Sequence, residues 1–306
     1  MLRGFSSLLG NTDPLVLIDG VPGSLNTVAP QDIETIDVLK DGSATAIYGT
    51  RGTNGVIIIT TKSANREMPT TVQYEGYLAI SNWVKKPDFL TASDLRDKMN
   101  EGWVFSGAND KDYGDNVDYL DQISQTALTH SHNLSIMGGT KHNTYTANLT
   151  YNNREGAIKK TGRSQMSGRI QVAQYLFDDK VKLSGELLVT ETNNSRGFSP
   201  HYVYRLACIQ NPTQPIKNAD GKWNERSVYF YDNPVSYLEE RTGDNRNRSI
   251  RFNGVIEYRP IEALTLKGMY VRKGQNSTNG TYYTHNDVTT TASGYNGYAR
   301  RSSNDY

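Results

Sequence analysis

Few residues in this 306-residue chain have the types and spacing for chemistry, and each reactive grouping has a structural reading. Gly49, Gly52 and Gly55 punctuate the run Gly49-Thr50-Arg51-Gly52-Thr53-Asn54-Gly55, which has the composition of a phosphate loop. Such loops run from strand to glycine-rich turn to helix, so that helix N–H groups face the phosphate. Here a helix signal precedes the glycines and the strand run Val56–Ile59 follows. The glycines therefore read as turn geometry, with Arg51 expected to pair with a carboxylate inside the fold. His130 and His132 share one face of a regular strand, but no third metal ligand stands at usable spacing. Asp110, Asp112, Asp115, Asp118 and Asp121 form an acidic loop. Gly114 falls one position early for a calcium loop and the closing glutamate is missing, so a solvated surface loop is expected. No serine occupies a Gly-x-Ser-x-Gly elbow, and Glu239-Glu240 read as loop charge. With no nucleophile–base pairing, the chain reads as a non-enzyme without metal or cofactor. What remains is aromatic. Trp83, Trp103, Phe105, Tyr113, Tyr202, Tyr204, Trp223, Tyr229, Phe230 and Tyr231 lie in long polar connections. Trp83, Trp103, Tyr202 and Trp223 are the candidate ligand contacts, because sugars and peptides stack on such faces. Loop packing and an interfacial girdle are the competing expectation.

The elements that must position these residues are strands. Hydrophobic residues make up 36% of the chain, and Tyr (20) far outnumbers Phe (7). Mean hydropathy is −0.63. A Tyr-, Asn-, Thr- and Gly-rich chain suits strands wet on one face. The net charge of +1 implies no nucleic-acid partner. The lone cysteine, Cys208, rules out an internal disulfide and reads as a partly buried small hydrophobe. No apolar run approaches the ~18–20 residues of a transmembrane helix.

The first part of the chain alternates strand runs with turn and helix signals: Leu15–Ile18, Ile33–Leu39 and Val56–Thr61. Asp19-Gly20 and Pro22-Gly23 mark the exit of the first strand. Asp41, followed by Gly42, is a candidate N-cap for a short helix at Ser43–Tyr48, which Gly49 would end. The blocks IDGVP and DIETIDVLKDGSATAIYGTRGTNGVIIITTK closely resemble the C-terminal half of the plug domain of SusC/RagA-type TonB-dependent outer-membrane transporters. The run Leu2-Arg3-Gly4-Phe5-Ser6-Ser7 looks like the Ile-Arg-Gly-x-Ser strand of the same plug. That family's plug has residues before this point, so the resemblance implies a fragment. Asp19, Gly20, Asp41, Gly42, Tyr48, Gly49, Arg51, Gly52 and Gly55 are then structural positions of the plug motif.

After a short polar hinge at 63–70, the pattern changes to period two. In Thr71–Ser81, Val72, Tyr74, Leu78 and Ile80 share a face; in Asn143–Asn153, Tyr145, Ala147, Leu149 and Tyr151 do. The same alternation recurs in His132–Gly138, Gln165–Tyr175, Val181–Thr190, Ser249–Tyr258 and Leu264–Arg272. Such segments have one apolar and one polar face, and ~9–11 residues is a bilayer-crossing length for a tilted strand. Long connections (Asn82–Thr129, Arg154–Arg163, Glu191–Arg248 and the tail from Lys273) alternate with short ones (Gly139–His142, Leu176–Lys180, Arg259–Ala263). That sorting is typical of an outer-membrane barrel. Short helices are expected in the loops at Ser93–Asn100, behind a capping box at Thr91, and within Ser199–Gln210. The fold expected is mainly β: a small α+β plug remnant at 1–66, then about seven strands of a larger antiparallel transmembrane barrel at 67–306.

The resemblance extends less sharply over the rest of the chain, through HSHNLSIMGGT and the turns Asn211-Pro212, Asp220-Gly221 and Asn233-Pro234. It implies import of an oligosaccharide or peptide across the outer membrane of a Gram-negative, Bacteroidota-like cell. The TonB–ExbB–ExbD complex and a SusD-like surface lipoprotein are the implied partners. A surface receptor, adhesin or signalling transducer is the rival reading. A secreted glycan hydrolase would need two carboxylates at a set separation, and none can be nominated.

Overall fold

The computed structural model describes residues 13–40, 46–105, 111–195, 197–225 and 232–305. Two sheets account for its strands. The first, in order β2-β1-β4-β3, comprises β1 (Leu15–Ile18), β2 (Val21–Pro22), β3 (Ile33–Leu39) and β4 (Val56–Thr61). Its three main strands are the three runs read from the sequence. β1 and β4 pair in parallel, Leu15 opposite Val56, and β3 flanks β4 antiparallel. A small apolar core forms where Leu17 and Val56 pack with Leu15, Leu39, Tyr48 and Ile58.

Asp19 and Gly20 join β1 to β2 with φ of 51° and 81°. Positive φ at both centres of a two-residue turn is the hairpin geometry that Asp-Gly favours. Residues 46–48 are helical, and Gly49 at φ 59° leads into the 3₁₀ turn Gly49–Gly52. Asp41 and Gly42 lie outside the described residues. Arg51 is exposed on this turn and pairs with no carboxylate among the described residues, because the tight turn aims it at solvent.

The second sheet is antiparallel, with eight strands in strict sequence order. These are β5 (Thr71–Ser81), β6 (Ala127–Gly139), β7 (Asn143–Glu155), β8 (Gly162–Leu176), β9 (Val181–Ser195), β10 (Arg241–Ile261), β11 (Leu264–Tyr283) and β12 (Tyr298–Asp305). Seven contain the period-two segments; β12, Tyr-Ala-Arg-Arg-Ser-Ser-Asn-Asp, has no such alternation to reveal it. β10 and β11 run to 21 and 20 residues, well past their apolar stretches.

Burial across this sheet is the reverse of a soluble sheet's. Ile170 is 55% exposed while Arg169 beside it is 5% exposed. Leu149, Tyr151, Met166, Leu187, Ile250, Phe252 and Ile256 all face outward, whereas Ser131, Asn133, Thr146, Asn148, Glu186 and Arg251 are buried. The buried polar face lies against the first sheet. The connector expected as a hinge is tacked to the ends of the wall strands: Ala64 N–H donates to Thr146 Oγ1 (3.1 Å), Gly139 N–H donates to Met68 O (2.9 Å) and Arg66 meets Asp179 (2.7 Å).

The largest apolar core sits under the long connections. It joins Tyr119, Leu120 and Ile123 of α2 (Tyr119–Ile123), Val203 and Ala207 of α3 (Pro200–Ile209) and Leu238 of α4 (Pro234–Glu239). α1 (Ala92–Asn100) begins with the expected capping box: Asp94 N–H donates to Thr91 Oγ1 and Thr91 N–H to Asp94 Oδ2.

Candidate functional site

The site is the seam where the first sheet meets the polar face of the second. It starts at the Asp19-Gly20 turn, which places the Asp19 carboxylate at the end of β4. Asp19 accepts from Thr61 N–H (2.9 Å) and from Thr61 Oγ1 (2.7 Å). Arg169, in mid-β8, reaches the same point. Its guanidinium lies 3.6 Å from Asp19 Oδ2, donates to Thr61 Oγ1, and donates to Lys62 O (3.1 Å) and Asn148 Oδ1 (3.3 Å). Glu186 of β9 lies 3.8 Å from Arg169 and accepts from Arg251 of β10 at 2.5 Å. Two buried cations, Arg169 and Arg251, thus face two carboxylates, Asp19 and Glu186. Such balance is what lets charges stay buried.

Asp32 forms a second contact a short way along the seam. Its Oδ1 accepts from Asn133 Nδ2 (3.0 Å) on β6 and Asn148 Nδ2 (2.8 Å) on β7. The plug-side segment therefore touches the wall through hydrogen bonds and ion pairs, with the buried apolar side chains of Ile18, Ala29 and Leu188 lining the gap beside them. Each neutral contact of this kind contributes roughly 0.5–1.5 kcal/mol net, because water competes for the same groups.

The candidate aromatics lie elsewhere, in the loop cluster, and they do not converge. Trp83 stacks on Tyr204 (5.8 Å between centroids) against the loop core. Tyr202 packs on Tyr237 (5.2 Å) and its hydroxyl donates to Asp232 (3.0 Å). Burial and that carboxylate push the Tyr202 phenol up to about 12. Trp223 Nε1–H donates to Glu240 (2.5 Å), with Lys217 over the ring at 4.3 Å. Trp103 is 59% exposed, with Lys98 5.5 Å from its ring centroid.

A loop cavity of about 620 Å³ is lined by Phe89, Leu95, Phe105 and Cys208 among others, but by none of those four candidates. Cys208 is half-buried, and burial pushes its thiol up. Tyr229, Phe230, Tyr231 and Asp110 fall outside the described residues. Of the acidic loop, Asp112 pairs with Arg96 (2.8 Å), Asp118 caps α2 and Asp121 pairs with Lys86 (2.7 Å). His130 and His132 point outward, and Tyr74 OH lies 2.7 Å from His132 Nδ1.

A family model described as the TonB-dependent receptor plug domain matches residues 1–56. The RagAB peptide importer in its closed-closed state shares the fold: TM-score 0.73 at 20% identity, covering 96% of this chain and 38% of that one. TonB-dependent receptor SusC of Bacteroides thetaiotaomicron is 38% identical over 281 residues, 87% of this chain and 27% of SusC. The chain belongs to the SusC/RagA family of TonB-dependent receptors. A TonB-dependent receptor of Formosa agariphila is 28% identical over 291 residues, 90% of this chain and 29% of that receptor. The chain thus spans under a third of the length of these curated relatives. In SusC/RagA terms the first sheet belongs to the plug and the second is an arc of barrel wall.

Arg169, Glu186, Arg251, Asp32, Asn133 and Asn148 are the site residues that sequence reasoning missed. One signal was present. Arg169, Glu186 and Arg251 are charged residues whose neighbours two positions away on the same strand face are uncharged: Ser167 and Gln171, Ser184 and Leu188, Ser249 and Asn253. Their partners lie far away in sequence, 101 residues for Asn133 and Asp32, and no local pattern encodes that.

Proposed function

We propose that this chain forms part of an outer-membrane importer for an oligosaccharide or peptide, energised through TonB–ExbB–ExbD and capped by a SusD-like surface lipoprotein. The observation that supports it best is the inverted burial of the eight-stranded sheet, apolar outside and polar toward the plug. An apolar outer band suits lipid, and a polar inner face suits a wet lumen with a displaceable plug. We place the plug part at residues 1–66 and the barrel part at 67–306, within an outer membrane. Of the aromatic candidates, Trp103 is the most exposed and is proposed first as a ligand contact; Trp83, Tyr202 and Trp223 follow, through the loop faces they order.

In this reading a pull on the chain upstream of β1 loads the Asp19–Thr61–Arg169 contacts first, because the 63–70 connector is pinned to the wall. Water replaces each polar contact as it breaks, so the plug moves while the barrel stays whole. The test is a disulfide between Asp32→Cys and Asn148→Cys in the intact receptor. Energy-dependent uptake is expected to stop in the oxidised form and return on reduction. Unchanged uptake in a fully cross-linked receptor would overturn the displaced-plug mechanism. Ligand binding with no energised uptake in the unaltered receptor would favour the receptor or transducer reading.

A further inference from the structure

The wall between plug and mouth carries charge of one sign. From β7 to β12 the ladders run without a register shift through this zone, so inward positions can be followed strand to strand. Beyond the Arg251–Glu186 pair and short of the Tyr283–Tyr298 pair, the ionisable residues at inward positions are Arg154, Arg163, Lys273 and Arg300. The rest are Asn, Gln, Ser, Thr and Gly, with no Asp or Glu. Arg163 donates to Gln165 Oε1 (2.8 Å). Arg154, Lys273 and Arg300 pair with no carboxylate among the described residues.

Two cavities follow this wall. One of about 530 Å³ separates Pro22, Gly23 and Ser24 of the plug from the wall; Arg163, Lys273 and Arg251 line it and no carboxylate does. Arg251 is already met by Glu186, which leaves Arg163 and Lys273 as the unneutralised cations there. The other, about 470 Å³, lies toward the mouth and is reached by Arg154 and Arg163. Its one lining carboxylate, Glu155, accepts from Leu128 N–H. Lys160 and Arg241, also lining it, are held by Glu239 and Asp287.

We propose that this path selects an acidic oligosaccharide, one carrying carboxylate or sulfate groups on its sugars. The proposal deepens the import reading and rests on the lumen being the ligand's route. A cleft lined by one sign of charge concentrates counter-charged ligand. Amide and hydroxyl side chains offer donors and acceptors together, as sugar hydroxyls require. Among the described residues, Leu188 and Pro22 are the only wholly apolar side chains lining the plug-side cavity, so a peptide's apolar side chains find little to pack on there.

The test uses the purified intact receptor and three probes: hexagalacturonate, its fully methyl-esterified form, and hexaglutamate. The acid sugar is expected to bind about tenfold tighter than the ester, with the preference shrinking as salt screens the charges. Arg163→Gln with Lys273→Gln should abolish the preference, bringing acid and ester to equal affinity. Equal binding of acid and ester, a preference that survives in the variant, or tighter binding of hexaglutamate would overturn the proposal. Where the double variant fails to assemble, judged by heat-modified gel mobility, the acid-to-ester ratio and its salt dependence in the unaltered receptor decide. Energised uptake without charge preference refutes this inference alone; charge-selective binding without energised uptake refutes the import reading alone.

Discussion

At the scale of single residues, Arg169 decides how firmly the plug is held. It is the cation between Asp19 and Glu186, and it also donates to Thr61 and Lys62 on the plug side. Removing one member of a buried ion pair leaves its partner charged and dry, at a cost of about 3–5 kcal/mol. Arg169→Met is therefore expected to loosen β4, seen as faster hydrogen exchange of the Thr61 and Lys62 amides; Arg169→Lys should restore only part of the protection. A variant exchanging at the unaltered rate would remove Arg169 from the latch. In the loops, Arg96, with the Gly114 amide, holds the Asp112 carboxyl down to about 2 from an ordinary 3.8. A depressed carboxylate contributes while the pH is above its ordinary value and loses that contribution as the pH falls through the folded one. The 111–118 segment should thus stay docked at pH 5 and release from α1 as the pH drops from about 4 through 2, visible as proteolytic nicking under acid. None of this pairing was legible in the sequence, because a polar strand face does not say which of its members meets the plug.

At the scale of elements, most of the architecture could be read, and the reasons are specific. The runs Leu15–Ile18, Ile33–Leu39 and Val56–Thr61 are bounded by Gly, Pro and Asp, and each forms the strand expected. Thr91 and Asp94 cap α1 reciprocally, a signal confined to four adjacent residues. Alternation found the lower halves of β10 and β11 but not their upper halves, where Arg, Asn, Thr and Gly occupy both faces. β12 was hidden for the same reason. The polar stretch at 63–70 looked like a hinge because composition reports solubility and not contact. Its close fit to the wall gives an element-scale prediction. A Cβ on Gly139 would stand 2.2 Å from Asn65 O, a backbone atom that cannot swing aside. Gly139→Ala is expected to push the connector off β6 and cost about 1–3 kcal/mol, read as a lowered thermal midpoint. An unshifted midpoint would mean the connector does not bear on β6.

At the scale of the whole molecule, the two faces of the eight-stranded sheet predict opposite tolerances. Leu149 faces outward within the apolar band. Leu149→Arg there is expected to cost about 2–4 kcal/mol of membrane stability, if Leu149 sits near the midplane. Gln at the inward Thr150 should be far milder; heat-modified mobility in membrane fractions compares the two. Equal tolerance of both changes would argue against lipid on the outer side. The lengths of β10 and β11 carry a further consequence. At about 3.3 Å per residue their 21 and 20 residues extend for roughly 65–70 Å, about twice the ~30 Å hydrocarbon core untilted and still well beyond it at the ~45° tilt of a barrel strand. Apart from Tyr282 near the tip of β11, their outward apolar residues end near Ile250 and Tyr270, so in a membrane the remaining length would stand clear of the acyl chains as a stiff parapet. In the proposed importer, cargo would then be received above the headgroups at a height fixed by hydrogen-bonded backbone, at an entrance whose shape does not hang on the loops at its rim.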